Sequence, residues 1–149
     1  LHRLLKRGTS DERDPRFRVG EYKALPNMIG EMVYTAAPKE VPAKMQELLR
    51  AYREKLSVNE QDVIDFHYRF EAIHPFQDGN GRVGRLVMFK ECLAHGLVPF
   101  VIDSDHKLIY YRGLREYPQE PGYLVDTCLS AQDKYRQLIA YFQQPPLEP

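Results

Sequence analysis

The sequence predicts an all-α fold, a helical bundle carrying a single β-hairpin. Three observations point there. Apolar residues recur at helical spacing over five stretches of the 149-residue chain. One segment, 19–36, is instead rich in β-branched and aromatic residues and is punctuated by Pro26, Asn27 and Gly30. Between two of the helical patterns, 74–85 reads HPFQDGNGRVGR, which packs a His, an acid, three glycines, an Asn and two Arg into one short break.

Taken in order, VGEYKALPNMIGEMVYTA at 19–36 reads as the hairpin. Pro26 restricts it to an edge or isolated position. Two strands alone are marginal in water, so it must lean on the helices, and its free edge offers a site for strand addition by an extended peptide. Val41, Met45, Leu48, Leu49, Tyr52 and Leu56 predict a helix over 41–56. Ser57 with Glu60 forms a capping-box pattern that opens the next. Its stripe of Val63, Phe66, Phe70 and Ile73 runs to His74, where Pro75 stops it. Leu86, Val87, Phe89, Leu93 and Leu97 predict a mostly buried helix ended near Gly96. A shorter helix fits 105–117 with Asp105 as its cap. A last one fits 122–142, with Leu124, Cys128, Gln132, Tyr135, Leu138 and Phe142 in register. Residues 1–142 read as one domain and 143–149, QQPPLEP, as a Pro-rich tail. The chain opens on Leu1 rather than Met, which leads us to expect further sequence upstream.

Composition narrows the function classes. Hydrophobic residues are 43% and charged residues 28%, ordinary for a soluble globular protein. Lys plus Arg (21) equals Asp plus Glu (21), so no global basic field gathers nucleic acid. No apolar run reaches membrane-spanning length and no signal peptide is evident. We therefore expect a cytoplasmic protein without nucleic-acid or membrane partners, with export as an effector left open. Cys92 and Cys128 read as reduced core thiols, since Cys92 and His95 are half a metal site with no second half.

The break at 74–85 carries the chemistry. Gly79, Asn80 and Gly81 fall where the following helix begins. There, glycines let successive N–H groups converge and the helix dipole adds positive potential. Arg82 and Arg85, three apart, would extend this anion site toward further phosphates. Asp78 is an oxygen ligand beside it, in the arrangement that holds Mg²⁺ with one carboxylate plus substrate phosphates. His74 is a base that titrates near neutrality. Together these point to phosphoryl or nucleotidyl transfer on a Mg-polyphosphate. The residues alone also fit a loop that merely turns the chain. No Walker A pattern is present.

HPFQDGNGR followed by Arg85 resembles the Fic family signature, HxFx(D/E)GNGRxxR, at every specified position. The hairpin upstream and YYRGL downstream agree, so the resemblance covers roughly 2–142. It implies a Fic fold, with the hairpin as a flap near the active site. The implied activity is protein AMPylation, transfer of AMP from ATP to a Ser, Thr or Tyr hydroxyl of a target protein. By position, the resemblance makes His74 the general base and Asp78 the ligand of Mg²⁺. Gly79, Asn80 and Gly81 become the anion hole, Arg82 and Arg85 the binders of the β- and γ-phosphates, and Phe76 the anchor of the loop. Asn27, Met28, Ile29 and Gly30 of the flap would align the target peptide. Tyr110, Tyr111 and Leu114 either line the nucleotide pocket or pack the core. Where relatives often place a base-contacting Asn, this chain has Pro118.

Gly81 separates two branches. The death-on-curing phosphotransferases carry Lys at that place, so Gly81 favours the AMP-transferring orientation. Many relatives carry an inhibitory helix, S/T-x-x-x-E-G/N, whose Glu pairs with the second motif Arg. Here Ser130 leads to Lys134 and Thr127 to Ala131, so no match arises. We expect such a helix upstream of Leu1, an antitoxin partner that supplies it, or an unrestrained domain. The alternatives to AMP transfer are another Fic-type phosphotransfer, removal of AMP, and a non-catalytic nucleotide- or peptide-binding module. Elsewhere, His67 reads as structural and His95 and His106 as surface. Glu71 reads as a solvated face, or else as a group that orients the His74 imidazole.

Overall fold

In the computed structural model, residues 1–29 and 33–143 are described. Seven helices and one two-stranded antiparallel sheet follow in chain order among them. They are α1 (His2–Lys6), α2 (Ser10–Arg13), β1 (Met28–Ile29), β2 (Val33–Tyr34) and α3 (Val41–Arg53), then α4 (Glu60–Ile73), α5 (Asn80–Ala94), α6 (Lys107–Glu116) and α7 (Gly122–Phe142). The all-α fold with one hairpin therefore holds, and α1 and α2 are additions that the apolar periodicity does not mark. The chain divides into two compact units, Leu1–Met88 and Phe89–Pro149, with the division inside α5.

The first unit is organised around α3 and α4. Val41, Met45 and Leu48 of α3 are buried against Phe66, Phe70 and Ile73 of α4 and Val83 of α5. These positions recur every three or four residues, which is what places them on one helix face. Leu56 lies beyond α3 and is fully exposed, so that helix is shorter than its apolar pattern. The start of α4 also differs from expectation. Asn59, not Ser57, is the cap: its side chain accepts from the Asp62 N–H, and the Asp62 carboxylate accepts from the Asn59 N–H. Two overlapping capping-box patterns compete within SVNEQD, and the inner one wins because Asn59 is the residue held in extended backbone.

Among the described residues the hairpin pairs Met28 with Tyr34 and Ile29 with Val33, a shorter extent than the segment predicted for it. Gly30, the last residue of the predicted flap, lies outside the described residues. Residues 23–27 are occupied otherwise, as a strap across the loop after α4. The Lys23 N–H donates to Pro75 O (2.8 Å), the Leu25 N–H to Gln77 Oε1 (3.2 Å), and Asn27 Nδ2 to Phe76 O (2.9 Å).

In the second unit α6 packs on α7 at Gly113, where an added Cβ would lie 2.8 Å from the Leu124 backbone. Tyr110, Leu124, Cys128 and Ala131 fill its interior. Cys92 and Cys128 are buried free thiols, as expected, and desolvation pushes Cys128 up to about 12. The buried stripe does not extend along all of α7: Leu138 and Phe142 are exposed. On α5, Leu86 and Leu93 are likewise exposed, and the helix stops at Ala94. Asp105 does not cap α6; Asp103 does the equivalent work by accepting the N–H groups of Asp105 and His106.

Candidate active site

The site begins where α4 ends. His74 adopts a left-handed conformation (φ 52°) while its N–H still donates to Phe70 O, and Pro75 follows. The proline disfavours another helical residue before it, so the chain turns out of the helix at His74. The imidazole is set by its own helix: Nδ1 lies 3.2 Å from the Glu71 carbonyl oxygen and 3.7 Å from Glu71 Oε2. A carbonyl oxygen only accepts, so Nδ1 carries the proton and Nε2 carries the lone pair. Burial, with the nearby Lys23 charge, lowers the His74 pKa below its ordinary value, against the opposing pull of the Glu71 carbonyl and Asp78. His74 is thus a neutral base at pH 7.

The loop that follows is held by a buried Asn. Asn80 Oδ1 accepts from the Phe76 N–H and Nδ2 donates to Phe76 O, each at 2.8 Å. The Asn80 side chain is therefore bound to the loop, so the part of it that an anion could meet is its backbone N–H. Gly79 is left-handed (φ +81°), a conformation that L side chains rarely adopt. The Val83 N–H closes the first turn of α5 on Gly79 O, leaving the earlier N–H groups of that turn without helical acceptors. Arg85 folds back over Gly81, with Nη1 3.2 Å from where a Cβ would stand, and Arg82 is exposed.

Asp78, half exposed, receives two cations on Oδ2, from Lys6 and from Arg82 (3.1 Å). Burial pushes its carboxyl up, but Lys6, the Gly79 backbone and Arg82 together hold it below the ordinary carboxylate range. His2 adds a third tie from α1. Its ring stacks on Phe76 (centroids 4.1 Å apart, 6° between planes), Nε2 donates to Asp78 O (3.0 Å) and Nδ1 accepts from the Gly20 N–H (2.9 Å). Phe76 is thus an anchor, but its stacking partner is a histidine.

Beneath the loop, α4 and α5 approach closely at Gly84. A Cβ there would lie 2.4 Å from Glu71 Oε1 and 2.9 Å from His67 Cε1. Glu71 is therefore buried, not part of a solvated face. Desolvation raises it to about 7, with the Arg85 charge opposing, and desolvation lowers His67 to about 4.

Of the residues predicted for the site, His74, Asp78, Gly79, Asn80, Gly81, Arg82 and Arg85 lie together on this junction. Asn27 is turned inward: Oδ1 accepts from Lys23 Nζ (2.6 Å) and Thr35 Oγ1 (2.7 Å). Met28 is half exposed and Ile29 half buried. Tyr110, Tyr111 and Leu114 belong to the second unit, where Tyr110 is buried, Tyr111 exposed and Leu114 half buried. His2, Lys6, Lys23 and Gly84 were not singled out from the sequence. Gly84 alone had a readable signal there, a third glycine inside a helix with no turn to make.

No group of three metal-ligating side chains occurs among the described residues. Mg²⁺ is usually held by one or two carboxylates with substrate phosphates, and a half-exposed Asp78 beside a helix N-terminus fits that donor set.

A helix, a glycine loop and a second helix thus bring together a neutral imidazole, one carboxylate and two guanidinium groups. The family model of the Fic/DOC family matches residues 1–92, and the chain belongs to that family. A probable protein adenylyltransferase of Aquifex aeolicus is 35% identical over 80 residues, 53% of this chain and 24% of that protein. The protein adenylyltransferase Fic of Aedes aegypti is 44% identical over 45 residues, 30% of this chain and 9% of that protein. Among solved structures, a Fic family protein from Desulfovibrio desulfuricans superposes with a TM-score of 0.71 at 29% identity, covering 98% of this chain and 47% of that one. A Fic domain containing signalling protein from Bacteroides thetaiotaomicron gives 0.63 at 32% identity, over 83% of this chain and 50% of that one. The chain thus spans half or less of each of these relatives. No helix among the described residues is long and apolar enough to cross a membrane.

Proposed function

We propose that this chain is a protein adenylyltransferase domain, which moves AMP from ATP to a Ser, Thr or Tyr hydroxyl of a target protein or of itself. The observation that carries the reading is the neutral His74, with Nδ1 held by Glu71 O and Nε2 left as the base, on the same junction as the α5 N-terminus. His74 Nε2 takes the hydroxyl proton as the oxygen attacks the α-phosphorus. The bond from that phosphorus to the bridging oxygen breaks, and pyrophosphate leaves with the electron pair. The backbone N–H groups at the start of α5 face the transferring phosphate, and Arg82 and Arg85 hold the leaving phosphates. Bound Mg²⁺, with Asp78 as its protein ligand, would stabilise charge on the phosphate oxygens.

Gly81 favours AMP transfer over phosphate transfer through the resemblance, since the death-on-curing phosphotransferases carry Lys at that place. The names of the curated relatives point the same way. Met28 and Ile29 would guide the target by main-chain pairing at the free edge of β1. Parallel incubations with Mg²⁺ and either α- or γ-labelled ATP test the reading. Protein-bound label from the α-phosphate alone is expected; label from the γ-phosphate alone would replace AMP transfer with phosphate transfer.

A further inference from the structure

We propose that Lys6 is a built-in counter-cation for the Asp78 carboxylate, so that a divalent ion must displace it, and that Lys6 thereby sets the metal requirement of the site. The inference rests on the metal–nucleotide reading above. Helix α1 presents His2 and Lys6 four residues apart, on one face, toward the loop. His2 fixes that face by stacking on Phe76 and bonding Asp78 O. Lys6 then reaches the Asp78 carboxylate, although its own residue is only 2% exposed.

Two further features show that the ammonium is installed there and not a passing surface contact. Its stem runs against Gly79, where a Cβ would come within 2.9 Å of Lys6 Cε, so the glycine leaves room for it. Asp11 holds the same ammonium as a second carboxylate partner. A buried ammonium is expensive without partners, so Lys6 stays on its two carboxylates unless another cation takes one of them. Asp78 is the half-exposed member of the pair and the one beside the phosphate site, whereas Asp11 is more enclosed. A divalent ion arriving with nucleotide therefore competes with Lys6 at Asp78, and Lys6 can retreat onto Asp11. The charge on Asp11 then governs how readily Lys6 lets go.

The test is Mn²⁺ binding, read from the paramagnetic signal of the free ion, in the presence of a non-hydrolysable ATP analogue. Lys6→Met, which keeps the buried stem, should tighten Mn²⁺ binding about tenfold, the scale of one partly buried charge interaction. Asp11→Asn should weaken it several-fold, because Lys6 is then left with Asp78 alone. A purely structural role for α1 would not move the two variants in opposite directions. Asp78→Asn defines the site-specific component. If that component exists but is unchanged in both variants, the Lys6 proposal is overturned while the nucleotide reading stands. If neither the wild-type chain nor either variant shows an Asp78-dependent component, the Lys6 proposal falls together with the assignment of Asp78 to the metal. Should Lys6→Met fail to fold, the Asp11→Asn result decides alone.

Discussion

His74 sits where α4 ends in a left-handed turn, and its protonation follows from that place. The Glu71 carbonyl oxygen fixes the proton on Nδ1, and burial keeps the ring neutral. Replacing His74 by Ala should lower AMP transfer by about 10²–10⁴-fold, the usual contribution of a positioned general base. ATP-analogue binding should persist, because the phosphate contacts assigned to Arg82, Arg85 and the α5 N-terminus are untouched. A transfer rate that survives the change would remove His74 from its role. The same geometry makes a pH prediction. In the proposed reaction the active form is the neutral imidazole, and its folded pKa lies below the ordinary histidine value of about 6.5. Activity should therefore fall only as pH drops below that value, which a profile of kcat/KM against pH would read. An acid limb centred above 6.5 would contradict the assignment.

At the scale of elements, the α4–α5 approach rests on Gly84, since any Cβ there meets Glu71 Oε1 and His67. Gly84→Ala should cost about 1–3 kcal/mol in urea unfolding, the range for overpacking a close contact. The two buried groups facing Gly84 titrate in opposite senses. His67 is lowered to about 4, so between pH 4 and 6.5 the unfolded chain binds more protons and stability rises with pH. Glu71 is raised to about 7, so between pH 4.5 and 7 the folded chain binds more protons and stability falls with pH. The slopes largely offset in the shared window. Glu71→Gln should unmask the His67 limb, giving stability that climbs by up to about 3 kcal/mol from pH 4 to 6.5, where the wild-type curve is flatter. Equal slopes in the two proteins would show that Glu71 does not titrate as described. His67 already reads as structural in the sequence, but the burial of Glu71 was not legible there, where that residue reads as a solvated face or a group that orients His74. Its burial depends on which helix lies opposite, and only the glycine at 84 hints at that. The motif at 74–85 could be read because its parts are neighbours in the chain. The contribution of α1 could not, because Lys6 and His2 meet the loop across 72 and 76 residues. Likewise 23–27, within the segment that reads as strand, serves as a strap, because Lys23 and Asn27 find partners on the loop and in Thr35.

For the molecule as a whole, the proposed nucleotide site should be visible as a linkage between ligand and stability. A ligand that binds only the folded chain stabilises it by about 2.7 kcal/mol at a hundred times its Kd. For a chain of 149 residues, one kcal/mol moves Tm by about 2–4 °C, so a non-hydrolysable ATP analogue with Mg²⁺ should raise Tm by about 5–11 °C. The loop from His74 to Gly79 ties α1, the 23–27 strap, α4 and α5 together through Phe76, Asn80, His2 and Lys23. Holding that loop should therefore stabilise the first unit, and not only the site. With Asp78 proposed as the ligand of Mg²⁺, removing the ion with a chelator should reduce the shift. Asp78→Asn should reduce it similarly and make the remainder indifferent to the chelator. A full shift in Asp78→Asn that still depends on Mg²⁺ would mean that the metal reaches the phosphates without this carboxylate. The assignment of Asp78 would then have to be given up, while those of His74 and the α5 N-terminus would stand.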